Sequence, residues 1–186
     1  MSSSEPTPTV EIRSEQPVDV AAIAAVTGAA FAGAEHSAPP VRPGGPPGEV
    51  DLVEWLRADE GWIPELSLVA VLHDQVVGHV LCTRGLVDDA PALGLGPVSV
   101  RPDLQGRGIG DALIREVLAR AAERGESLVA LVGEPAYYGR FGFVPARTLG
   151  VEAPDPSYGE FFQALRLGPG PHPQGTFRYA APFDRL

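Results

Sequence analysis

The segment 95–122, LGPVSVRPDLQGRGIGDALIREVLARAA, constrains the fold more than any other part of the chain. A short apolar run at 98–100 precedes three glycines at alternate positions, Gly106, Gly108 and Gly110. Apolar residues then recur at the spacing of one helix face: Ala112, Leu113, Val117, Leu118, Ala121 and Ala122. The order predicts a strand, a glycine-rich loop and the N-terminus of an amphipathic helix.

This arrangement is suited to holding an anionic phosphate. The first turn of a helix has unpaired N–H groups and the positive end of the helix dipole, and glycines let a ligand approach the backbone. Arg107 adds guanidinium donors inside the loop. A tight turn without a ligand is the alternative, but three alternating glycines cost backbone entropy that such a turn does not require.

Two motifs carry a resemblance to a known family. The stretch 105–110, QGRGIG, resembles the pyrophosphate-binding loop of the GCN5-related N-acetyltransferase (GNAT) family, which reads Gln/Arg-x-x-Gly-x-Gly/Ala. The stretch 138–143, YGRFGF, is similar to the family's later Tyr-x-x-x-Gly-Phe signature. The sequences at 131–135 and 175–179 are similar to those of a bacterial branch of predicted N-acetyltransferases. The resemblance covers roughly residues 10–182.

The resemblance implies an α/β (α+β) fold, a GNAT-like three-layer α/β/α domain around a mixed, mostly antiparallel, splayed sheet. We expect residues 1–9 to form a disordered tail and 10–186 to form one N-acetyltransferase domain. The pattern along the chain predicts strands at 10–13, 66–72, 76–83, 92–100, 127–132, 160–167 and 176–179, another beginning at 141, and helices at 17–31, 50–57 and 135–140.

The family likeness also implies acetyl-CoA as cosubstrate and no metal. It assigns these residues to acetyl-CoA binding: Val98, Ser99, Val100, Gln105, Gly106, Arg107, Gly108, Ile109 and Gly110. In the family the pantetheine arm lies along the strand before the loop, and the Val98 N–H would face the thioester carbonyl as an oxyanion donor. Pro97 has no N–H, so regular pairing is expected to break in a bulge at 94–97.

Tyr138 matches the family's tyrosine, which implies a general acid that protonates the departing thiolate. Packing of its ring in the core is the alternative. Its neighbour Tyr137 is expected to pack or to face solvent.

The general base is left open by the sequence. Many relatives carry an Asn that hydrogen-bonds the cofactor arm where this chain has Glu134, which cannot donate that bond unless it is protonated. As for the base, several relatives carry a Glu four residues before the position of Val98, where this chain has Gly94. Other groups must then accept the proton of the amine, and the candidates are Glu65, His79, Glu35, His36, and Ser99 acting through water. His79 lies in a predicted strand, where a core histidine is the simpler interpretation.

Composition excludes several classes of function. The net charge is −10, every basic residue is Arg, and no basic stripe favours nucleic acid. No apolar run approaches the ~20 residues that a membrane span needs, and the four histidines and one cysteine lack metal-ligand spacing. We therefore expect a cytoplasmic protein without a metal.

The sequence thus predicts an N-acetyltransferase that moves the acetyl group of acetyl-CoA to a primary amine of a small molecule or peptide by direct attack. A non-catalytic acyl-CoA binding or sensing module is the alternative, and transfer of a longer acyl chain is a third interpretation. The acceptor and the oligomeric state, a homodimer included, stay open. The Pro- and Gly-rich segment 38–48 is predicted to be a surface loop, with a flap over the acceptor site as the alternative.

Overall fold

The computed structural model describes residues 9–186, so the predicted N-terminal tail lies outside the described residues apart from Thr9. The strands are β1 Glu11–Ser14, β2 Ser67–Leu72, β3 Gln75–Val87, β4 Ala90–Val100, β5 Leu128–Val132, β6 Val144–Pro145, β7 Val151–Glu152, β8 Phe162–Arg166 and β9 Gly175–Arg178. The α-helices are α1 Val20–Phe31, α2 Gly48–Arg57, α3 Ile109–Glu123 and α4 Pro135–Tyr138.

A mixed sheet runs in the order β1-β2-β3-β4-β5-β8-β6, and β9 pairs with the far end of β3. Neighbouring strands along this path are antiparallel except β4 and β5, which are parallel. The predicted fold class, α/β with a mixed and splayed sheet, is confirmed.

The hairpin predicted at 66–83 is confirmed, but β3 is longer than expected. It continues to Val87 and pairs with β4 from Val87↔Ala90 to Gly78↔Val100. The long hairpin carries the chain directly from the sheet centre into the glycine loop.

The strand predicted to begin at 141 is wrong. Residues Gly139–Phe141 instead form a 3₁₀ turn that ends at Gly142, whose φ is 95°. The ring of Phe141 packs edge-on against Tyr137 at 5.5 Å between centroids. These aromatic contacts hold the chain in a turn, and pairing begins only at Val144.

The sheet has an apolar core on each face. On one face, Leu113 of α3 packs in one apolar cluster with inward side chains of the strands, such as Leu68 of β2 and Val80 of β3. On the other face, α1 and α2 cover Val69 and Leu81. The glycine loop therefore begins the helix of one layer, and the 38–48 segment belongs to the opposite layer.

The 38–48 segment is a loop whose two ends are tied together. The Gly48 N–H donates to the carbonyl of Ala38 at 3.1 Å. The buried carboxylate of Glu49 accepts from the Ala38 N–H at 2.6 Å and from the Ser37 hydroxyl at 3.1 Å. The predicted loop is confirmed, and its base is fixed to the start of α2.

Candidate functional site

The central feature of the site is a gap between β4 and β5. The two strands pair only at Leu93↔Val129 and Gly94↔Ala130. Within residues 9–186, the edge of β4 beyond Leu95 therefore has no strand partner on that side. Its backbone groups are available to the amides of an extended ligand.

The bulge predicted in β4 is confirmed by the register of the hairpin. Val80 lies opposite Val98, whereas Cys82 lies opposite Leu95, so β4 contains one more residue than β3 across this step. The extra residue falls at Gly96–Pro97, where the strand turns away from β5.

The glycine loop presents a run of unpaired backbone donors. Gly106 and Gly108 have φ values of 73° and 83°, in the left-handed region that favours glycine. The first N–H that donates back to the loop is that of Ala112, to the Gly108 carbonyl at 3.0 Å. Among residues 9–186, no partner accepts from the N–H groups between Gly106 and Asp111.

A cleft of about 330 Å³ lies against these donors. Predicted site residues in its walls are Val100, Gln105, Gly106, Gly108, Ile109 and Gly110. The side chain of Gln105 is already used, because its amide donates to the Val100 carbonyl at 3.0 Å and closes the loop onto β4.

Four predicted residues do not line this cleft: Val98, Ser99, Arg107 and Tyr138. Ser99 is buried on the α1 side, with its hydroxyl 3.3 Å from that of Thr27. The Val98 side chain packs against the core of the α3 face, and Arg107 is exposed. If Val98 contacts a ligand, only its backbone is placed to do so. The backbone of Ser99 faces β3, because it lies opposite His79 and two residues before Arg101, whose N–H donates to Val77.

Two residues of the cleft were missed or misread in the sequence. Tyr137, expected to pack or to face solvent, donates its hydroxyl to Asp111 at 3.2 Å and lines the cleft. Arg140 also donates to Asp111, at 2.9 Å, and its guanidinium lies 4.5 Å from the Tyr137 ring centroid. A Cβ at Gly110 would lie 3.1 Å from the Tyr137 hydroxyl, so this glycine makes room for the tyrosine.

Tyr138 lies beside this group but deeper. Its ring occupies the space over Gly133, where any Cβ would overlap it, and packs 5.9 Å from the ring of Phe143. Burial, with a smaller contribution from Tyr137, raises the pKa of Tyr138 to about 12. The phenol is therefore protonated at neutral pH, as a proton donor must be.

His79 is a core residue, as its strand position indicated. Its Nε2 lies 2.9 Å from the Ser67 hydroxyl and 3.2 Å from Glu15, and Arg57 also donates to Glu15 at 2.7 Å. Burial lowers the pKa of His79, against the opposing effect of Glu15. The ring is inaccessible to solvent, which removes it as a direct base for an amine.

The remaining base candidates gain no support from their positions. Glu65 is 62% exposed and pairs with Arg124, which follows the C-terminal end of α3. Since α3 has 15 residues, this end lies about 22 Å along the helix from the glycine loop. Glu35 and His36 are exposed in the segment after α1.

A further tyrosine lies at the point where β4 and β5 separate. A Cβ at Gly94 would lie 2.8 Å from Cδ1 of Tyr179, so the ring of Tyr179 rests directly on this glycine. In the sequence, Gly94 stands where several relatives carry a Glu. In the structure, the absence of a side chain there makes room for the aromatic ring of Tyr179.

Within residues 9–186, no group of three or more His, Cys, Asp or Glu side chains is placed to hold a metal ion. None of the helices in the described part of the chain has the length and apolarity needed to cross a bilayer.

Comparison with known proteins identifies relatives of this arrangement. The model of the acetyltransferase (GNAT) family matches residues 35–143, which include the gap, the glycine loop and Tyr138. The chain is 40% identical over 113 residues to the N-acetyltransferase YjhQ of Escherichia coli strain K12. That match spans 58% of this chain and 62% of YjhQ, less than two thirds of the relative's length.

Two solved structures are similar over nearly the whole chain. A GNAT family acetyltransferase from Brucella melitensis, crystallised with acetyl-CoA, is 38% identical with a TM-score of 0.76, covering 96% of this chain and 100% of its own. The N-acetyltransferase YhbS from Escherichia coli, crystallised with CoA, is 28% identical with a TM-score of 0.82, covering 100% and 97%.

Proposed function

The chain belongs to the acetyltransferase (GNAT) family, and from that premise we propose that it transfers the acetyl group of acetyl-CoA to a primary amine of a small molecule or peptide. It is an acetyl-CoA-dependent acyltransferase, with acetyl-CoA as cosubstrate. Residues 10–186 act as one acetyltransferase domain in this proposal. Similar proteins of known structure were crystallised with acetyl-CoA or CoA.

One arrangement carries the proposal. The N–H groups from Gly106 to Asp111, which have no partner among residues 9–186, lie next to an edge of β4 that no strand of that range covers. The pyrophosphate of acetyl-CoA suits the first feature, because backbone donors and the helix dipole both favour an anion. The amides of its pantetheine arm suit the second, since an extended chain can pair with a free strand edge.

The proposed reaction is a direct attack of the amine on acetyl-CoA. The neutral amine attacks the thioester carbonyl, and the Val98 N–H donates to the oxygen that becomes negative. The carbon–sulfur bond then breaks, and the thiolate takes the phenol proton of Tyr138. The amine nitrogen loses one proton, through solvent, which restores the phenol, so amine and acetyl-CoA become acetamide and CoA thiol.

A non-catalytic acyl-CoA binding module remains the competing function, and one finding favours it. Of the sequence candidates for a base, His79 and Ser99 are buried, Glu65 is remote from the loop, and Glu35 and His36 are exposed in the segment after α1. Direct attack requires an amine that arrives neutral or loses its proton to water. Thioester cleavage by the acetyl-CoA complex over a panel of amines separates the two functions.

Calorimetric titration with acetyl-CoA tests the binding step. Replacing Gly108 by Glu puts a side chain at φ 83° and a carboxylate among the amides, and we expect binding to weaken at least about 100-fold. Gly125 is the matched control, because it has φ 82° in open space after the other end of α3. Gly125→Glu should suffer the same backbone strain and keep its affinity.

Arg107→Ala tests the side-chain contribution, with an expected weakening of about tenfold from one lost charged contact. Well-folded wild-type protein that fails to bind acetyl-CoA would overturn the proposal. Equal losses in the Gly108 and Gly125 variants would show that strain, and not the anion site, explains the effect.

A further inference from the structure

Tyr179 follows β9 and reaches back to the centre of the sheet. Its ring lies on Gly94, with a built Cβ 2.8 Å from Cδ1 and 3.0 Å from Cε1. Gly94 is the last β4 residue paired with β5, at Gly94↔Ala130. Tyr179 therefore stands at the inner end of the gap, where a thioester lying along β4 has to be approached.

The ring is held in place by other aromatic side chains. Phe177 packs edge-on against it at 4.8 Å between centroids, and Phe183 lies at 4.7 Å. Phe177 itself rests on Gly85, where a Cβ would lie 2.7 Å from the ring. Two glycines on adjacent strands thus make room for these rings, and the hydroxyl of Tyr179 is left with little freedom to move.

Tyr179 and Tyr138 approach the gap from opposite faces of the sheet. Gly94 lies opposite Thr83 in the β3–β4 pair, so the two residues point to the same face of the sheet. Thr83 lies two residues after Leu81, and both therefore point to the face that α1 and α2 cover. Tyr138 packs into the core on the α3 face. Tyr138 thus lies on the α3 side of the sheet, and Tyr179 lies on the side of α1 and α2.

The hydroxyl of Tyr179 has no hydrogen-bond partner among residues 9–186, in contrast to that of Tyr137. Burial raises the pKa of Tyr179, and the phenols of Tyr158 and Tyr138 raise it further. The hydroxyl therefore stays protonated, and its oxygen can accept a hydrogen bond without acting as a phenolate base.

We propose that Tyr179 binds the acceptor: its phenol oxygen accepts a hydrogen bond from the attacking amine nitrogen, on the face opposite Tyr138. This inference rests on the acetyl-transfer function proposed above. Tyr179 aligns the nitrogen lone pair with the carbonyl carbon and takes no proton, so the reaction balances as already described. Residues from the end of the chain then determine which amines react.

The test is Tyr179→Phe, which keeps the ring on Gly94 and removes only the hydroxyl. The probes are hydroxylamine, a minimal amine nucleophile, and a panel containing spermidine, lysine and a short peptide with a free N-terminus. We expect kcat/KM for the amine to fall about tenfold, mostly through KM, as one lost hydrogen bond predicts. The Kd for acetyl-CoA should stay unchanged in the calorimeter.

Tyr137→Phe is the matched comparison, because it removes a phenol hydroxyl that lies in the cleft beside the glycine loop and bonds Asp111 there. Its effect should fall on the Kd for acetyl-CoA and leave the KM for the amine unchanged. Gly94→Ala provides a second route to the prediction, since its Cβ displaces the Tyr179 ring and should raise KM in the same direction.

The outcomes separate the two proposals. Wild-type protein that binds acetyl-CoA but transfers to no amine defeats the transfer function. Wild-type protein that transfers, with Tyr179→Phe showing the same KM, defeats the role of Tyr179 alone. A parallel rise in KM for Tyr179→Phe and Gly94→Ala, at constant acetyl-CoA affinity, supports it.

Discussion

The two faces of the sheet are built differently. The face under α3, where the glycine loop begins, is packed almost entirely with apolar side chains. Most buried polar residues of the range 9–186 belong instead to the other face or to the segments that cover it: Asp19, Thr27, Glu49, Ser67, His79, Thr83 and Ser99. The exception is Gln163, which lies opposite Leu131 of the α3 face and donates to the Gly133 carbonyl at 2.9 Å. On the α3 face, the groups available to a ligand are backbone donors that rest on an apolar core. On the opposite face, the polar groups are side chains that come from separate parts of the chain.

This difference explains why only one side could be assigned from motifs. Backbone donors need a loop shape, and glycines adjacent in sequence specify that shape. Side-chain networks need residues that meet only after folding, such as Glu15 with His79 or Gly94 with Tyr179.

The largest effect is expected at Tyr138. Replacing it by Phe removes the proton donor and keeps the ring over Gly133, so kcat should fall on the order of 100- to 1,000-fold. The Kd for acetyl-CoA should not change, because the phenol is not one of the backbone N–H donors of the glycine loop. Steady-state kinetics and calorimetry measure the two quantities, and an unchanged kcat would remove Tyr138 as the acid.

Glu15 should control stability in acid. Burial favours its neutral form, but hydrogen bonds from His79, Arg57 and Ser67 outweigh this and lower its pKa to about 2. Its contribution is fully present above the unfolded pKa near 4.5 and is lost as pH falls towards 2. A shift of this size corresponds to about 3 kcal/mol of unfolding free energy.

Glu15→Gln should therefore lower stability at neutral pH by about that amount and flatten the acid limb between pH 4.5 and 2. Denaturant unfolding at a series of pH values measures both effects. Glu65→Gln, at an exposed carboxylate, is the control and should leave the acid limb intact. An acid limb that persists in Glu15→Gln would contradict the assignment.

Gly133→Ala tests whether the contact of the Tyr138 ring with Gly133 fixes the position of the phenol. The added methyl group overlaps the ring, so the phenol should move and kcat should fall about tenfold. Gly139→Ala, in open space at the end of α4, is the matched control and should retain wild-type kcat. Similar losses in both variants would mean that the turn, and not the position of the phenol, limits the rate.

The smallest effect is expected at Asp111, whose carboxylate pairs with Arg140 at the edge of the cleft. Asp111→Asn removes a negative charge near an anionic ligand and leaves Arg140 available to it. Affinity for acetyl-CoA should therefore rise a few-fold at low salt and converge with wild type at high salt. Glu116→Gln, farther along α3, should show no such gain.

The sequence predicted the long strands and helices, the bulge before Val98 and the glycine loop, because each depends on neighbouring residues. It could not place Tyr137 and Arg140 in the cleft, since their contact with Asp111 spans separate elements. Gly94 shows the limit most clearly. A glycine in a strand indicates a close approach, but only the fold shows that the approaching group is Tyr179, from far along the chain.

The loop at 38–48 leaves the body and returns to it at one point, where Ala38 and Gly48 are hydrogen-bonded and Glu49 secures the junction. Because this junction holds the two ends together, the length of the loop has little effect on the stability of the sheet. Doubling a loop's length costs only about 0.6 kcal/mol in closure entropy. The segment can thus be replaced without changing the rest of the fold. Insertions, deletions or grafted loops between these two residues should be tolerated, which makes this the place to begin when redesigning the surface of the protein.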